Sequence, residues 1–288
     1  MPTFETPKPI LATVEFTVGD LRIAAQDRTD TVVEVSPSDP SHEPDVRAAE
    51  QTRVEMTPDG LVVRGPRQRG LPRSLVGPSL FGKPGSVDVT IGLPAGSRLR
   101  ADTGVAALRC TGQLGECRAK TGAGEIDLED TGAAELTTGA GGISVGVVRG
   151  GAEIKTGTGT VRLTEVDGPA VVRNANGETW IGTVTGSLQV TSSNGAISID
   201  RADADVTAKT ANGTLRVGRV SRGTTSLKTS MGEIEIGIAA GTAALVDAQT
   251  RMGHVRNSLA ATDTPQPADE TAEVHAQTAF GDIIIRRA

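Results

Sequence analysis

Residues 120–128 read KTGAGEIDL, and the phrase returns as TTGAGGISV at 137–145 and KTGTGTVRL at 155–163. Shorter versions follow: NANGETWI at 174–181, SSNGAISI at 192–199, TANGTLRV at 210–217, TSMGEIEI at 229–236, TRMGHVRN at 250–257 and TAFGDIII at 278–285. Each turns on one glycine, at 124, 141, 159, 177, 195, 213, 232, 253 and 281, so the steps are 17, 18, 18, 18, 18, 19, 21 and 28 residues. An earlier copy, DTGVAALRC at 102–110, places Ala106 in the glycine slot, 18 residues before Gly124. A period this regular is the mark of a repeat architecture, in which each unit buries its apolar face only by stacking on the next.

The phase inside the repeat gives the secondary structure. Two residues past the glycine stand Ile126, Ile143, Val161, Thr179, Ile197, Leu215, Ile234, Val255 and Ile283. Four past it stand Leu128, Val145, Leu163, Ile181, Ile199, Val217, Ile236, Asn257 and Ile285. Polar residues such as Asp127, Arg162, Ser198, Arg216 and Glu235 lie between them, and a period of two means a strand with one buried face. A second strand precedes the next glycine, with inward pairs such as Cys117/Ala119, Leu188/Val190 and Val206/Ala208. A further glycine falls between the strands at 115, 132, 150, 168, 186 and 223, so each coil reads strand, turn, strand, turn. The expected fold is an all-β, single-stranded β-solenoid of about ten coils, roughly 45–50 Å long at ordinary strand spacing.

The first hundred residues are looser but still β. Gly19, Leu21 and Ile23 repeat the glycine-plus-two, plus-four signature, and TVVEV, RVEM, LVVRG and SVDVTIGLP follow as short alternating strands. The polar stretch SPSDPSHEPDVRAAEQT has room for one short helix. Residues 1–100 are expected to form a β-strand cap leading into a solenoid over 101–288, the two forming one continuous domain. The last coil, whose long step holds an insert near 258–273, is expected to close the other end. Between Gly60 and Val87, Arg64, Arg67, Arg69, Arg73 and Lys83 occur with no acid among them. That stretch reads either as a solvated connection or as a basic loop that grips an anion or a partner.

Composition narrows the function classes. Hydrophobic residues make up 37% but aromatics only 2%, so the core must be thin layers of Val, Ile, Leu and Ala. The net charge of −6, with both signs interspersed, gives no electrostatic case for nucleic acid. MPTFETPKPILATVEF has no charged segment followed by an apolar one, and no stretch is apolar enough to span a membrane. A cytoplasmic location without a membrane span is the expectation.

These residues resemble the bacterial repetitive β-strand family labelled "putative adhesin", a domain of unknown function. The resemblance rests on the strand through Gly19, Leu21 and Ile23, on the VDVTIGLPAGS segment at 87–97, and on the T-x-x-G-x-I-x-L repeats. It covers nearly the whole chain. It implies a β-solenoid without a catalytic residue set, with adhesion as the associated activity.

Several other repeat architectures share a multiple of this period. A calcium-binding β-roll needs an acid in every turn, whereas these turns read Thr-Gly-Ala-Gly or Asn-Ala-Asn-Gly. A hexapeptide helix needs an aliphatic residue every six positions, but counting from Ile126 gives Gly132, Thr138 and Ser144. Glycosidic chemistry needs a carboxylate pair. Glu125 with Asp127, and Glu233 with Glu235, share an outward strand face, among Lys120 and Lys228. His42, His254 and His275 are far apart and form no metal-spaced pair, while Cys110 and Cys117 fall in core columns. No cofactor and no metal are expected.

What remains is surface. Three residues before each glycine runs a ladder: Thr121, Thr138, Thr156, Asn174, Ser192, Thr210, Thr229, Thr250 and Thr278. One residue earlier runs another, Lys120, Thr137, Lys155, Arg173, Thr191, Lys209, Lys228, Gln249 and Gln277. The ladders are either a flat docking surface or hydroxyls that satisfy turn backbone groups beside solubilising chains. Trp180, the one tryptophan, falls in the outward column with Arg162 and Arg216. The candidate interaction surface is therefore Trp180, Arg162 and Arg216, with Arg67, Arg69 and Arg73 from the basic loop. The chain reads as a non-enzymatic module facing an unknown macromolecule, protein or polymer, with self-association as one outcome. A carbohydrate-active or other enzyme on a β-helix is the alternative.

Overall fold

A computed structural model describes residues 1–66, 85–259 and 270–288. Among these the only helix is Glu43–Gln51, and the fold is an all-β solenoid of parallel coils. The chain divides into two compact units, Met1–Gly132 with Leu136–Ala140, and Ala133–Glu135 with Gly141–Ala288.

In the first unit Leu11–Gln26 runs a whole coil as one strand, with Val14, Leu21 and Ile23 buried on either side of the Gly19 corner. It pairs in parallel with Arg98–Leu114, Leu11 opposite Arg98 and Ala25 opposite Gly112. Its other edge pairs in parallel with Gly60–Arg64 and Val87–Pro94. The coil that comes first in the chain is thus sandwiched between two later ones. Antiparallel strands end the stack on that side: Arg53–Thr57 lies on Gly60–Arg64, Asp30–Pro37 on Val87–Pro94, and Thr3–Glu5 on Asp30–Pro37. This is the N-terminal β-strand cap, and it pairs backbone groups that an open edge would leave exposed.

In the second unit the two faces of the solenoid are regular. Ala152–Thr158, Ala170–Asn176, Leu188–Asn194, Val206–Asn212 and Gly223–Met231 pair in parallel on one face. Ile143–Val148, Val161–Val166, Thr179–Val184, Ile197–Ala202, Leu215–Val220 and Ile234–Ile238 do so on the other. Register is kept from coil to coil, so like residues stack on like. Ile154, Val172, Val190 and Ala208 form one inward column, and Leu163, Ile181, Ile199 and Val217 another. Each large aliphatic side chain taken out of water contributes about 1.5–3 kcal/mol. A one-residue slip would turn the whole set outward.

The turn at each anchoring glycine explains why that residue recurs. Gly177 has φ +135°, and a Cβ there would run into the carbonyl oxygen of Gly159 in the neighbouring coil. Both the backbone conformation and the stacking distance exclude a side chain.

The ladder three residues before the glycine is internal. Thr121, Thr138, Thr156, Asn174, Ser192, Thr210, Thr229 and Thr278 are all buried. Most donate to the carbonyl of an anchoring glycine in the adjacent coil. Thr156 reaches Gly141 O at 3.2 Å, Thr229 reaches Gly213 O at 3.1 Å, and Thr278 reaches Gly232 O at 3.1 Å. Asn174 replaces threonine in the coil where Thr179 replaces the usual aliphatic residue, and its Nδ2 lies 3.3 Å from Thr179 Oγ1. These side chains satisfy turn carbonyls, the second of the two readings of this ladder, and do not form a docking surface.

The far end of the second unit also departs from expectation. Glu270–Phe280 pairs with Gly223–Met231 on one edge and with Thr242–Met252 on the other. Likewise Ile283–Arg287 lies between Ile234–Ile238 and Val255–Asn257. The coil that comes last in the chain is therefore an inner layer, and the preceding coil is the outer one. The expectation that the last coil is the terminal cover was wrong. Val255 and Asn257, placed inward by phase, are exposed because no further coil covers them among the described residues.

Candidate interaction surface

The outward column carrying Trp180 is built by register alone. Ser144 lies opposite Arg162, Arg162 opposite Trp180, Trp180 opposite Ser198, Ser198 opposite Arg216, and Arg216 opposite Glu235. Neighbouring strands lie about 4.8 Å apart, so Arg162 and Arg216 flank Trp180 at one and two strand spacings. Trp180 is half-buried. Its indole lies along its own strand over Gly182, where a Cβ would sit 3.2 Å from ring atom Cη2. The Arg162 guanidinium covers the ring, with Cζ 4.4 Å from the centroid. Such stacking contributes about 0.5–1 kcal/mol at an exposed site.

Arg216 is drawn the other way, with Nε 3.4 Å from Glu235 Oε2. Glu235 also accepts two hydrogen bonds from Arg286, at 2.9 and 2.7 Å. Of the six candidate residues, Arg162, Trp180 and Arg216 share one sheet face. Arg67, Arg69 and Arg73, with Lys83, lie outside the described residues. Arg64 is described, and its Nε is 3.6 Å from Glu15.

The opposite face carries a basic row in register: Lys155 opposite Arg173, then Thr191, Lys209 and Lys228. Glu153 anchors its start, 2.6 Å from Lys155 and 3.3 Å from Arg173. The hydrogen bond from Lys155, reinforced by the charges of both cations, holds the Glu153 carboxyl below its ordinary value.

The groups weighed for catalysis and metal binding are dispersed. Glu125 and Asp127 lie in the first unit, Glu233 and Glu235 in the second. A groove of about 390 Å³ against residues 5–11 and 56–60 includes none of the four. His42 pairs with Asp45 at 2.8 Å, His254 lies 3.7 Å from Asp282, and His275 contacts Glu273 at 3.0 Å. Among the described residues no cluster of His, Cys, Asp and Glu has a metal-holding arrangement. None of the helices described is long and apolar enough to cross a membrane. Cys110 and Cys117 are buried thiols, and burial pushes Cys117 up to about 12 and Cys110 well above its ordinary value.

A family model described as Toastrack DUF4097 matches residues 13–286. The chain belongs to that family. No curated protein matches the sequence of this Toastrack chain. Two solved structures are similar to it in a looser sense. One, described as a "putative cell adhesion protein" from Clostridium sporogenes ATCC 15579, is 11% identical, with 100% of this chain and 98% of that one covered and a TM-score of 0.21. The other, a "putative adhesin" from Bacteroides fragilis NCTC 9343, is 10% identical over 100% and 95% of the chains, with a TM-score of 0.24. Superpositions that loose leave the fold of the Toastrack chain resting on its own strand pairing.

One surface feature escaped the reading of the repeats. The residue before the anchoring glycine is polar in the middle coils of the second unit, where Asn176, Asn194 and Asn212 form an amide ladder with bonds of 2.8 and 2.9 Å. In the outer coils the same column becomes apolar. Met231, Phe280 and Met252 stack side by side and are 55, 53 and 64% exposed. The motifs TSMG, TAFG and TRMG carry the signal, but side chains at a turn have no inward or outward phase to read.

Proposed function

We propose that this Toastrack chain is a non-enzymatic binding module that presents the sheet face around Trp180 to a macromolecular partner. The in-register stacking of Arg162, Trp180, Ser198 and Arg216 carries the reading. Such a face offers an indole with an apolar edge and flanking guanidinium groups at fixed spacing, which suits contact with an extended protein or polymer surface. Trp180 is held on a strand, not a loop, so little ordering is lost on contact.

The test is an affinity capture from the native host with the intact chain, run beside Trp180→Ala and Ser144→Ala. Partners lost with the first variant and kept with the second support the reading. Identical captures for all three chains would refute it. The carbohydrate-active alternative rests on Glu125 with Asp127 or on Glu233 with Glu235. Polysaccharide cleavage that disappears in Glu235→Gln would replace the binding reading altogether.

A further inference from the structure

The outer coil of the second unit, Thr242–Met252 with Val255–Asn257, ends the stack with an open edge. Among the described residues each strand pairs on one side only, Thr242–Met252 with Glu270–Phe280 and Val255–Asn257 with Ile283–Arg287. The corresponding coil of the first unit is closed by antiparallel strands of its own chain. The open coil also exposes large apolar side chains among its polar ones. Leu245 is 70% exposed, Val255 43%, and Met252 leads into the Met231, Phe280 ridge.

The geometry points to a second copy of this chain pairing antiparallel on Thr242–Met252, edge to edge across a two-fold axis. Met252 O accepts from Gly281 N–H, so in a regular strand the even-numbered peptide groups turn inward and those of Leu245, Asp247, Gln249 and Arg251 turn to the open edge. Two such edges can therefore exchange hydrogen bonds between odd-numbered residues while Val246, Ala248 and Thr250 remain on the core side.

Charge selects the register. With the axis at Asp247, that carboxylate would oppose itself. With the axis at Ala248, Asp247 would face Gln249. With the axis at Gln249, Asp247 faces Arg251 of the second copy, and Arg251 faces its Asp247, giving two cross-strand ion pairs. Opposite charges directly across an antiparallel pair stabilise it and like charges oppose it. The edge is complementary to itself in that last register. A second copy also matches the edge in length and in having two strands joined at one corner, whereas a lone peptide strand would cover only half of it.

The full chain should sediment with twice its monomer mass and dissociate on dilution. Arg251→Asp should weaken the dimer about tenfold or more, because two ion pairs become two repulsive pairs. The double variant Asp247→Arg with Arg251→Asp should restore it. Gln249→Pro removes an edge donor that no intrachain bond uses, so it should give a monomer that melts like the parent. A wild-type chain that stays monomeric at high micromolar concentration would overturn the proposal. So would a dimer that Arg251→Asp and Gln249→Pro both leave intact. Trp180→Ala should not alter the dimer, so this outcome is independent of the binding face.

Discussion

Arg162 holds its guanidinium carbon 4.4 Å from the centre of the Trp180 ring. The indole is pinned between that group and the glycine at 182 on its own strand. The residue is half-buried, so part of it stays open to solvent. Acrylamide should therefore quench Trp180 partially in the native protein, and Arg162→Ala should raise the quenching constant. Trp180→Ala should cost about 1 kcal/mol of stability, the stacking contribution plus some apolar contact. A wild-type indole untouched by quencher would show that the ring is sealed and cannot be a contact residue.

Ile197 is 1% exposed, while Ser198 beside it faces outward between Trp180 and Arg216. Ile197→Asp should cost about 4 kcal/mol or more, because it buries a carboxylate between aliphatic layers. Ser198→Asp should change stability by about 0.5 kcal/mol. Urea melts of both variants check the contrast, and similar midpoints would contradict the inward and outward assignment.

The buried ladder should be energetically uneven. Thr229 Oγ1 lies 3.1 Å from Gly213 O and 3.2 Å from Met231 O. Ser192 Oγ in the same ladder has no hydrogen-bond partner. Thr229→Val should cost about 1–2 kcal/mol by taking the hydroxyl donor from the Gly213 carbonyl. Ser192→Ala removes a hydroxyl that gains nothing from its place and should be neutral or slightly stabilising. Equal costs from chemical denaturation would mean the hydroxyls do not serve the turns.

Two glycines with positive φ should respond very differently to alanine. Gly177 stacks on Gly159, leaving no room for a Cβ, whereas a Cβ at Gly241, φ +77°, meets nothing within 4 Å. Gly241→Ala should cost about 1 kcal/mol, the conformational penalty alone. Gly177→Ala must also push two coils apart and should lower the melting temperature far more. Differential scanning calorimetry separates the two.

Alkaline pH should destabilise the fold through its thiols. Burial raises the Cys117 pKa from 9.0 to about 12, and Cys110 moves in the same direction. A raised pKa in the folded state means stability present below pH 9 and lost as the unfolded thiols ionise above it. Cys117 should account for about 1 kcal/mol between pH 9 and 10, and Cys110 should add to the loss in the same direction. Cys110→Ala/Cys117→Ala should therefore lose less stability over that interval than the parent, measured by urea titration at each pH.

The repeat phase made most of the core legible, because alternation along a strand tells inward from outward wherever another coil lies above and below. Ile154, Ile181 and Val217 were all placed this way. Phase cannot say which coil is the neighbour. Leu11–Gln26 and Glu270–Phe280 carry the same signature as any other coil, yet each slips between two coils that follow one another in the sequence. Val255 and Asn257 follow from that. The Thr ladder had two readings, and the structural one holds, since a hydroxyl can be buried at small cost when a carbonyl waits for it. At the turn, Met231, Phe280 and Met252 had no alternation to betray them. Trp180 was legible in direction, but the hold of Glu235 on Arg216 depends on which rotamers the neighbouring coils allow.

The intercalated coil at Glu270–Arg287 bears on how the protein is made. On a ribosome, residues 242–257 emerge before the strands on which they come to rest. Gly223–Met231 is not their final partner, since that edge is taken in the finished fold by residues translated later. Growth of the stack therefore cannot run as a zipper from one end of the chain to the other. It must pause with one coil waiting and close only when the final strands arrive. A protease that trimmed those strands would leave the preceding coil tethered by the chain but stripped of the strands it rests on.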